Sequence, residues 1–376
     1  MDKKITSYHS FYRMGQEQST AGRKRSNSYA TVGLMQQALI KEAIDNFHGT
    51  KSNAICSIIN PTGSIPLKRE SHFACYDYKN HTLYAGYGLG LGNTQYNNVY
   101  YINTQDIVWK QLNLTGNPVS PRYGANAAFD GREFIYVFGG YEINSKQYFS
   151  DFHRINVKTG RVDAIEYLPT PNAPDARISP FIGHYNNKVF IWGGFNIESG
   201  PSTYLHIYDI AERYWRRIDT HHTGNPRSSF TIFDKYMIIY APQDEQAFAV
   251  IDMDAEKFTY IDCNTPNAPA FDLFKPGVCF DGEYIYVIGG RSRVNYSRVH
   301  AFSMQNRYWS VLNVEPDDVA FSRRSGVKNE HGEFYLPSVD SFTAVCDGDR
   351  IMGFLGNIVE KLVFVLKVDK NILKAI

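Results

Sequence analysis

Short apolar runs that end in glycine recur along the chain. Phe134–Gly140 reads FIYVFGG and Tyr284–Gly290 reads YIYVIGG. Between them stand VFIWGG at Val189–Gly194 and MIIYAP at Met237–Pro242; outside them LYAGYG ends at Gly88 and RIMGFLG at Gly356. The four central runs end at 140, 194, 242 and 290, in steps of 54, 48 and 48 residues. Runs this short, rich in β-branched and aromatic residues and closed by turn formers, predict strands rather than helices.

A second mark keeps step with the first. Seven positions separate Ile102 from Trp109, Ile155 from Val162, Tyr208 from Trp215, Ile251 from Phe258 and Phe302 from Trp309. Large apolar residues at both ends of a polar stretch such as NVKTGR or DIAERY predict a hairpin whose strands share one core. Upstream, FDG at Phe129–Gly131 and Phe280–Gly282, YNN at Tyr185–Asn187 and FDK at Phe233–Lys235 predict tight turns, because Asp, Asn and Gly tolerate positive φ. Two hairpins per unit of about fifty residues make four strands, the content of one propeller blade.

These residues resemble the kelch repeat: an apolar strand, a double glycine, then an aromatic residue and a Trp with six residues between them. The likeness runs over about residues 54–370, with Gly139-Gly140, Gly193-Gly194 and Gly289-Gly290 as the glycine pairs and Trp109, Trp215 and Trp309 as the tryptophans. RESH at Arg69–His72 is similar to the start of the family's first strand. The copies are degenerate, with Ala241-Pro242 in place of one glycine pair and Val162 in one Trp position. The resemblance implies an all-β, six-bladed kelch-type β-propeller, with seven blades as the alternative. It also implies the architecture of the galactose oxidase central domain without its copper ligands. Propellers of this kind often complete the last blade with a strand from the other terminus. AICSII at Ala54–Ile59 precedes the first unit without a unit of its own and is the expected closing strand. TGSIPLKR from Thr62 shadows TGNPVSPR from Thr115 at a constant offset of 53 and marks the usual blade-to-blade connection. At the far end, residues 316–340 are an insertion or an extra hairpin, so that the propeller spans 51–376.

Two segments precede it. Residues 1–30 hold six Lys/Arg against Asp2 and Glu17 and carry too little apolar content to fold alone, so they are expected as a basic, flexible tail. Residues 31–48 place apolar side chains at 35, 39 and 43 and at 40, 44 and 47, the spacing of an amphipathic helix. RKRSNS sets Arg23 three before Ser26 and Arg25 three before Ser28, which makes both serines candidate basophilic phosphorylation sites.

Charge and chemistry narrow the function classes. With 39 Lys+Arg against 38 Asp+Glu, no global field recruits nucleic acid or an anionic membrane. No apolar stretch approaches the twenty or so residues of a membrane span, and cytoplasm is the expected compartment, with cytoskeletal association open. The five cysteines stand sixteen or more residues apart, too scattered for a disulfide framework or zinc knuckle. Phosphate-loop, HExxH, GxSxG and CxxC patterns are absent. His221-His222 is the one tempting metal pair, but adjacent strand residues face opposite ways. No catalytic, cofactor or metal residue is therefore assigned. Arg69, Arg122, Arg177, Arg227 and Arg323, with Lys275 in the fifth unit, each stand where a first strand begins; they are candidates for a partner-binding rim, or for structural bonding between blades. The leading expectation is a non-catalytic protein-interaction scaffold whose partner offers an acidic surface, as a cytoskeletal polymer does in a cytoskeletal or ciliary assembly. The alternatives are a ubiquitin-ligase substrate receptor acting with a partner in trans, and a propeller oxidase, mutarotase or lyase.

Overall fold

A computed structural model of the chain describes residues 53–117, 119–241, 248–261, 266–270, 272–292, 298–317, 327–328, 334–336, 339–357 and 363–374. The expected tail, helix and phosphorylation sites Ser26 and Ser28, and Arg323, lie outside the described residues. Six antiparallel four-stranded sheets follow one another around an axis. Blade 1 is Phe73–Asp77, Thr82–Gly86, Val99–Asn103 and Val108–Leu112. Blade 2 is Asn126–Phe129, Phe134–Phe138, Phe152–Asn156 and Arg161–Ala164. Blade 3 is Phe181–Tyr185, Lys188–Trp192, Tyr204–Asp209 and Tyr214–Asp219. Blade 4 is Ser229–Phe233, Tyr236–Tyr240, Phe248–Asp252 and Lys257–Ile261. Blade 5 is Gly277–Phe280, Tyr284–Ile288, Val299–Ser303 and Trp309–Val311. Blade 6 takes Thr343–Asp347, Arg350–Phe354 and Val363–Val368 from the C-terminal end and Ala54–Ile59 from the N-terminal end.

The offset of seven is a pairing rule. Ile102 lies directly opposite Trp109, Ile155 opposite Val162, Tyr208 opposite Trp215, Ile251 opposite Phe258 and Phe302 opposite Trp309. The polar letters between them build the turn. Asn156, Asp209 and Asp252 each use a side-chain Oδ1 to accept the backbone N–H groups two and three residues on, the local bond that bends a chain into a hairpin. Each Trp of these pairs packs on the preceding blade: Trp109 on Phe354 of blade 6, Trp215 on Phe152 of blade 2, Trp309 on Phe248 of blade 4. Six buried clusters result among the described residues, one at each interface between neighbouring blades.

The double glycine is needed where a neighbour's backbone comes close. Gly140 donates its N–H to Arg177 O in the next blade at 2.9 Å, and Gly139 and Gly140 sit at φ +78 and +109. A Cβ on Gly139 would meet that same carbonyl oxygen at 2.5 Å. Only a residue without a side chain accepts both the dihedral and the approach.

The ring closes as the sequence led us to expect. Ala54–Ile59 pairs antiparallel with Val363–Val368 over all six positions, from Ala54 opposite Val368 to Ile59 opposite Val363. Val314–Pro316, leaving blade 5, adds a parallel strand outside Ala54–Cys56. Thr62–Gly63 and Thr115–Gly116, the two echoing connections, likewise cover the outer strands of blades 1 and 2. Within the 316–340 segment, Val327–Lys328 pairs with Phe334–Tyr335 as a separate two-stranded ladder, and blade 6 opens at Thr343. There are six blades.

Alternation on the closing strand sets the expected cost of breaking it. Cys56 is fully buried, whereas Ile55 is 49% exposed. Cys56→Asp leaves an unpaired carboxylate in the seam and is expected to cost about 3 kcal/mol or more. Ile55→Asp is expected to stay within about 0.5 kcal/mol. Chemical denaturation of the two variants checks this; equal destabilisation would refute the closure.

Candidate functional site

The face on which each first strand begins, called here the top, carries the expected rim. Three of its arginines are turned inward. Arg69 is 1%, Arg122 2% and Arg177 3% exposed. Each follows one plan: Nε donates to the carbonyl two residues back, Leu67, Ser120 or Asp175, at 3.1, 3.1 and 3.2 Å. Nη1 then donates to the end of the blade's own second strand, Tyr87 O at 3.0 Å, Gly139 O at 3.2 Å or Gly193 O at 2.8 Å. Arg122 also pairs with Asp151 and Arg177 with Asp175. The guanidinium of Arg69 lies 4.3 Å from the Tyr96 ring and that of Arg122 3.6 Å from Phe149. A planar fork with several donors suits two carbonyls and a ring face at once, which an ammonium cannot do. These guanidinium groups face their own blades, not solvent.

Arg227 and Lys275 occupy a different place. They stand two positions beyond the arginine site, in a ring of residues at the very start of the first strands. Gly124 N–H donates to Ser71 O, Ser179 to Gly124, Lys275 to Arg227 and Ser341 to Lys275, at 2.6–3.1 Å. Ser71, Gly124, Ser179, Lys275 and Ser341 all have φ between +47 and +67, a left-handed turn that few non-glycine residues adopt. Leu273 and Val339 fill the arginine site in blades 5 and 6. The expected equivalence of Arg69, Arg227 and Lys275 is thus corrected: charge recurs near the top of each blade, but in two registers with two roles.

A channel of about 580 Å³ runs along the axis, walled by first strands from all around the ring. Its top collar is polar, with Ser71, Asn126, Ser229, Lys275, Ser341 and Thr343; its middle is mainly small and apolar, with Ala74, Ala127, Ala128, Val278, Ala344 and Val345 beside Cys75 and Thr231; its lower end is charged, with Asp77, Asp130 and Arg132. Near the bottom, Tyr78 of blade 1 crosses to blade 4, where its hydroxyl donates to Ile232 O at 3.2 Å and its ring meets Phe233 at 5.9 Å. His72 Nε2 lies 2.9 Å from Thr343 Oγ1, and its Nδ1 is buried without a partner. Burial, then the charges of Arg69 and Lys275, lower the His72 pKa to about 3, and burial lowers that of Lys275 to about 8 against the opposing pull of Glu70.

Three further histidines repeat a signal that the sequence reading passed over. His153, His206 and His300 each stand nine residues before the Trp position of their blade, near the start of the third strand, and are 3%, 4% and 2% exposed. His206 Nδ1 is 2.8 Å from Asn172 O and His300 Nδ1 2.8 Å from Asn267 O, which ties each third strand to the incoming connection. His153 Nε2 meets Tyr87 OH at 2.8 Å, across to blade 1. Burial lowers all three to about 4. By contrast His221 is exposed, and His222 stacks on Phe258 at 5.2 Å. Among the described residues, no group of three or more His, Cys, Asp or Glu is arranged to hold a metal ion, and no helix is long and apolar enough to cross a membrane.

Six four-stranded blades, three of them with an inward arginine, glycine-tailed second strands and a two-terminus closing sheet define a six-bladed β-propeller. The chain belongs to the kelch-repeat family: the family description KLHDC2/KLHL20/DRC7 Kelch-repeats domain matches residues 42–240 and 134–329. Kelch domain-containing protein 3 of Bos taurus is 31% identical over 144 residues, 36% of this chain and 36% of that protein. Kelch domain-containing protein 10 of Xenopus tropicalis is 28% identical over 166 residues, 43% of this chain and 39% of that one. Kelch domain-containing protein 2 of Bos taurus is 28% identical over 133 residues, 34% and 31% respectively. The matches thus span between 31% and 39% of the relatives' lengths.

Two outcomes are expected. An unfolded histidine takes up a proton near pH 6.5, whereas these buried ones wait until about 4 or below. The unfolded state therefore binds more protons in that window, so stability is lost as the pH drops from about 6.5 towards 4, by on the order of 1 kcal/mol per pH unit for each. Thermal melts from pH 7 to 4 should show this slope, and His206→Gln should flatten it. Separately, Arg122→Lys is expected to cost about 2 kcal/mol by denaturant titration, because the ammonium leaves Gly139 O and the Phe149 face unsatisfied.

Proposed function

We propose that the propeller is a non-catalytic docking platform whose protein partner lies on the top face. The observation that carries this reading is the placement of three exposed leucines. Leu67, Leu91 and Leu168 are 55%, 77% and 84% exposed. All three belong to top-face connections, of blade 1 or of the passage from blade 2 to blade 3. Exposed large apolar side chains on one face favour an interaction surface. The loop that bears Leu91 is tied to its neighbour: Gln95 Nε2 donates to Tyr141 O at 2.8 Å and Ile143 N–H returns to Gln95 Oε1 at 2.9 Å, joining the blade 1 and blade 2 loops. Recognition loops on a stiff scaffold are the usual means by which such folds bind.

The basic residues 1–30 supply a second attachment, and two linked contacts raise avidity without any new interface. An acidic partner surface, as on a cytoskeletal polymer in a cytoskeletal or ciliary assembly, suits that charge.

Cross-linking mass spectrometry and affinity capture in cells that express the chain natively test the proposal. The double variant Leu91→Asp with Leu168→Asp is expected to keep the wild-type unfolding midpoint and lose its main partner. Deleting residues 1–30 is expected to weaken capture and reduce its salt sensitivity. An unchanged partner set in the double variant would overturn the top-face assignment.

A further inference from the structure

The axial channel has a chemistry of its own, independent of which protein docks on the top face. Its polar collar and apolar middle are stacked along one axis. Five hydroxyl and amide side chains share the collar with a single cation, Lys275. Among the described residues, no carboxylate pairs with the Lys275 ammonium and no acceptor bonds it. Glu70, the acidic group acting on it, places its Oε2 3.3 Å from Asn357 Nδ2 instead. His72 stands in the same wall with its Nε2 on Thr343 and its Nδ1 unpartnered. Below the collar, four alanines and two valines make most of the wall, with Cys75 and Thr231 among them, and Tyr78 crosses the lower end to Ile232.

We infer that the channel is a binding site for a small amphipathic organic acid, with its carboxylate at Lys275 and the collar hydroxyls and its apolar tail among Ala74, Ala127, Ala128, Val278, Ala344 and Val345. The volume lies within the range of pockets that enclose small molecules. One unpaired ammonium balances one negative charge, which favours a carboxylate over a doubly charged phosphate monoester. The hydroxyls complete its acceptor sites, and charge-assisted bonds of this kind strengthen away from bulk water. The alanine-lined stretch adds the area term for the tail. A ligand with only one of the two parts forfeits half of the site.

The test uses the purified full chain and three probes at constant ionic strength: hexanoate, acetate and hexan-1-ol. Lys275 is footprinted with an amine-acetylating reagent at pH 8, and its modification is read by peptide mass spectrometry. The free amine present near that pH makes Lys275 reactive when the site is vacant. Hexanoate is expected to protect Lys275 saturably, at concentrations at least tenfold below those needed with acetate or hexan-1-ol. It is also expected to raise the melting temperature of the wild-type chain but not of Lys275→Gln. Equal protection by acetate would remove the tail site, and equal protection by hexan-1-ol would remove the carboxylate site; either result, or no protection by hexanoate, overturns the inference. The footprint needs no variant, so a poorly folded Lys275→Gln leaves the test intact.

Discussion

A ring of sheets can be stable only if its first and last members meet, and here that contact is a six-residue antiparallel ladder between Ala54–Ile59 and Val363–Val368. Without it, blade 6 would end on an unpaired edge and the cluster joining Ala54, Cys56 and Ile58 to blade 5 would open to water. The seam is reinforced from a third direction, since Val314–Pro316 pairs outside the closing strand and Asp317 N–H donates to Cys56 O at 2.9 Å. Chain segments more than 300 residues apart thus share one sheet. Stability at any blade depends on that seam, because each interface is held from both sides only while the circle is complete.

The closed ring also explains where the cations go. Connections at the top must pass from the outer strand of one blade to the inner strand of the next, leaving backbone carbonyls that point inward and away from solvent. Buried carbonyls without donors are costly, and Arg69, Arg122 and Arg177 meet that need in three blades with the same two bonds. Blades 5 and 6 place Leu273 and Val339 there and rely on packing. The cation that reaches the top of the channel is Lys275, because it lies two residues further on, in the left-handed turn that lines the axis; Lys79, Arg132 and three aspartates line its lower end. A shift of two residues separates a structural cation from one that faces a cavity.

Much of this was legible before any coordinate. The offset of seven between aromatic residues becomes five directly opposed strand pairs, since a two-stranded hairpin with a fixed turn has a fixed register. The orphan segment Ala54–Ile59 was readable as a closing strand because it had strand pattern and no unit to join. Other features were less accessible. The arginines looked alike in spacing, and nothing local distinguishes Arg122, folded against Phe149, from Arg227, in the turn ring. His153, His206 and His300 stood in plain register nine residues before the Trp position, but a buried histidine gains meaning only when its carbonyl partner in the incoming connection is placed beside it.

Sequence alone therefore determined the repeat length, the strand content and the closing strand, because these follow from periodicity and hairpin register, which are properties of neighbours in the chain; the choice of six blades over seven came from the sheet pairing. Tertiary structure decided which cations are structural and which face the axis, and which side chains line each level of the channel. Those features arise where six first strands converge, each from a unit about fifty residues from the next. Convergence of that kind is a property of the closed circle, and no single repeat contains it.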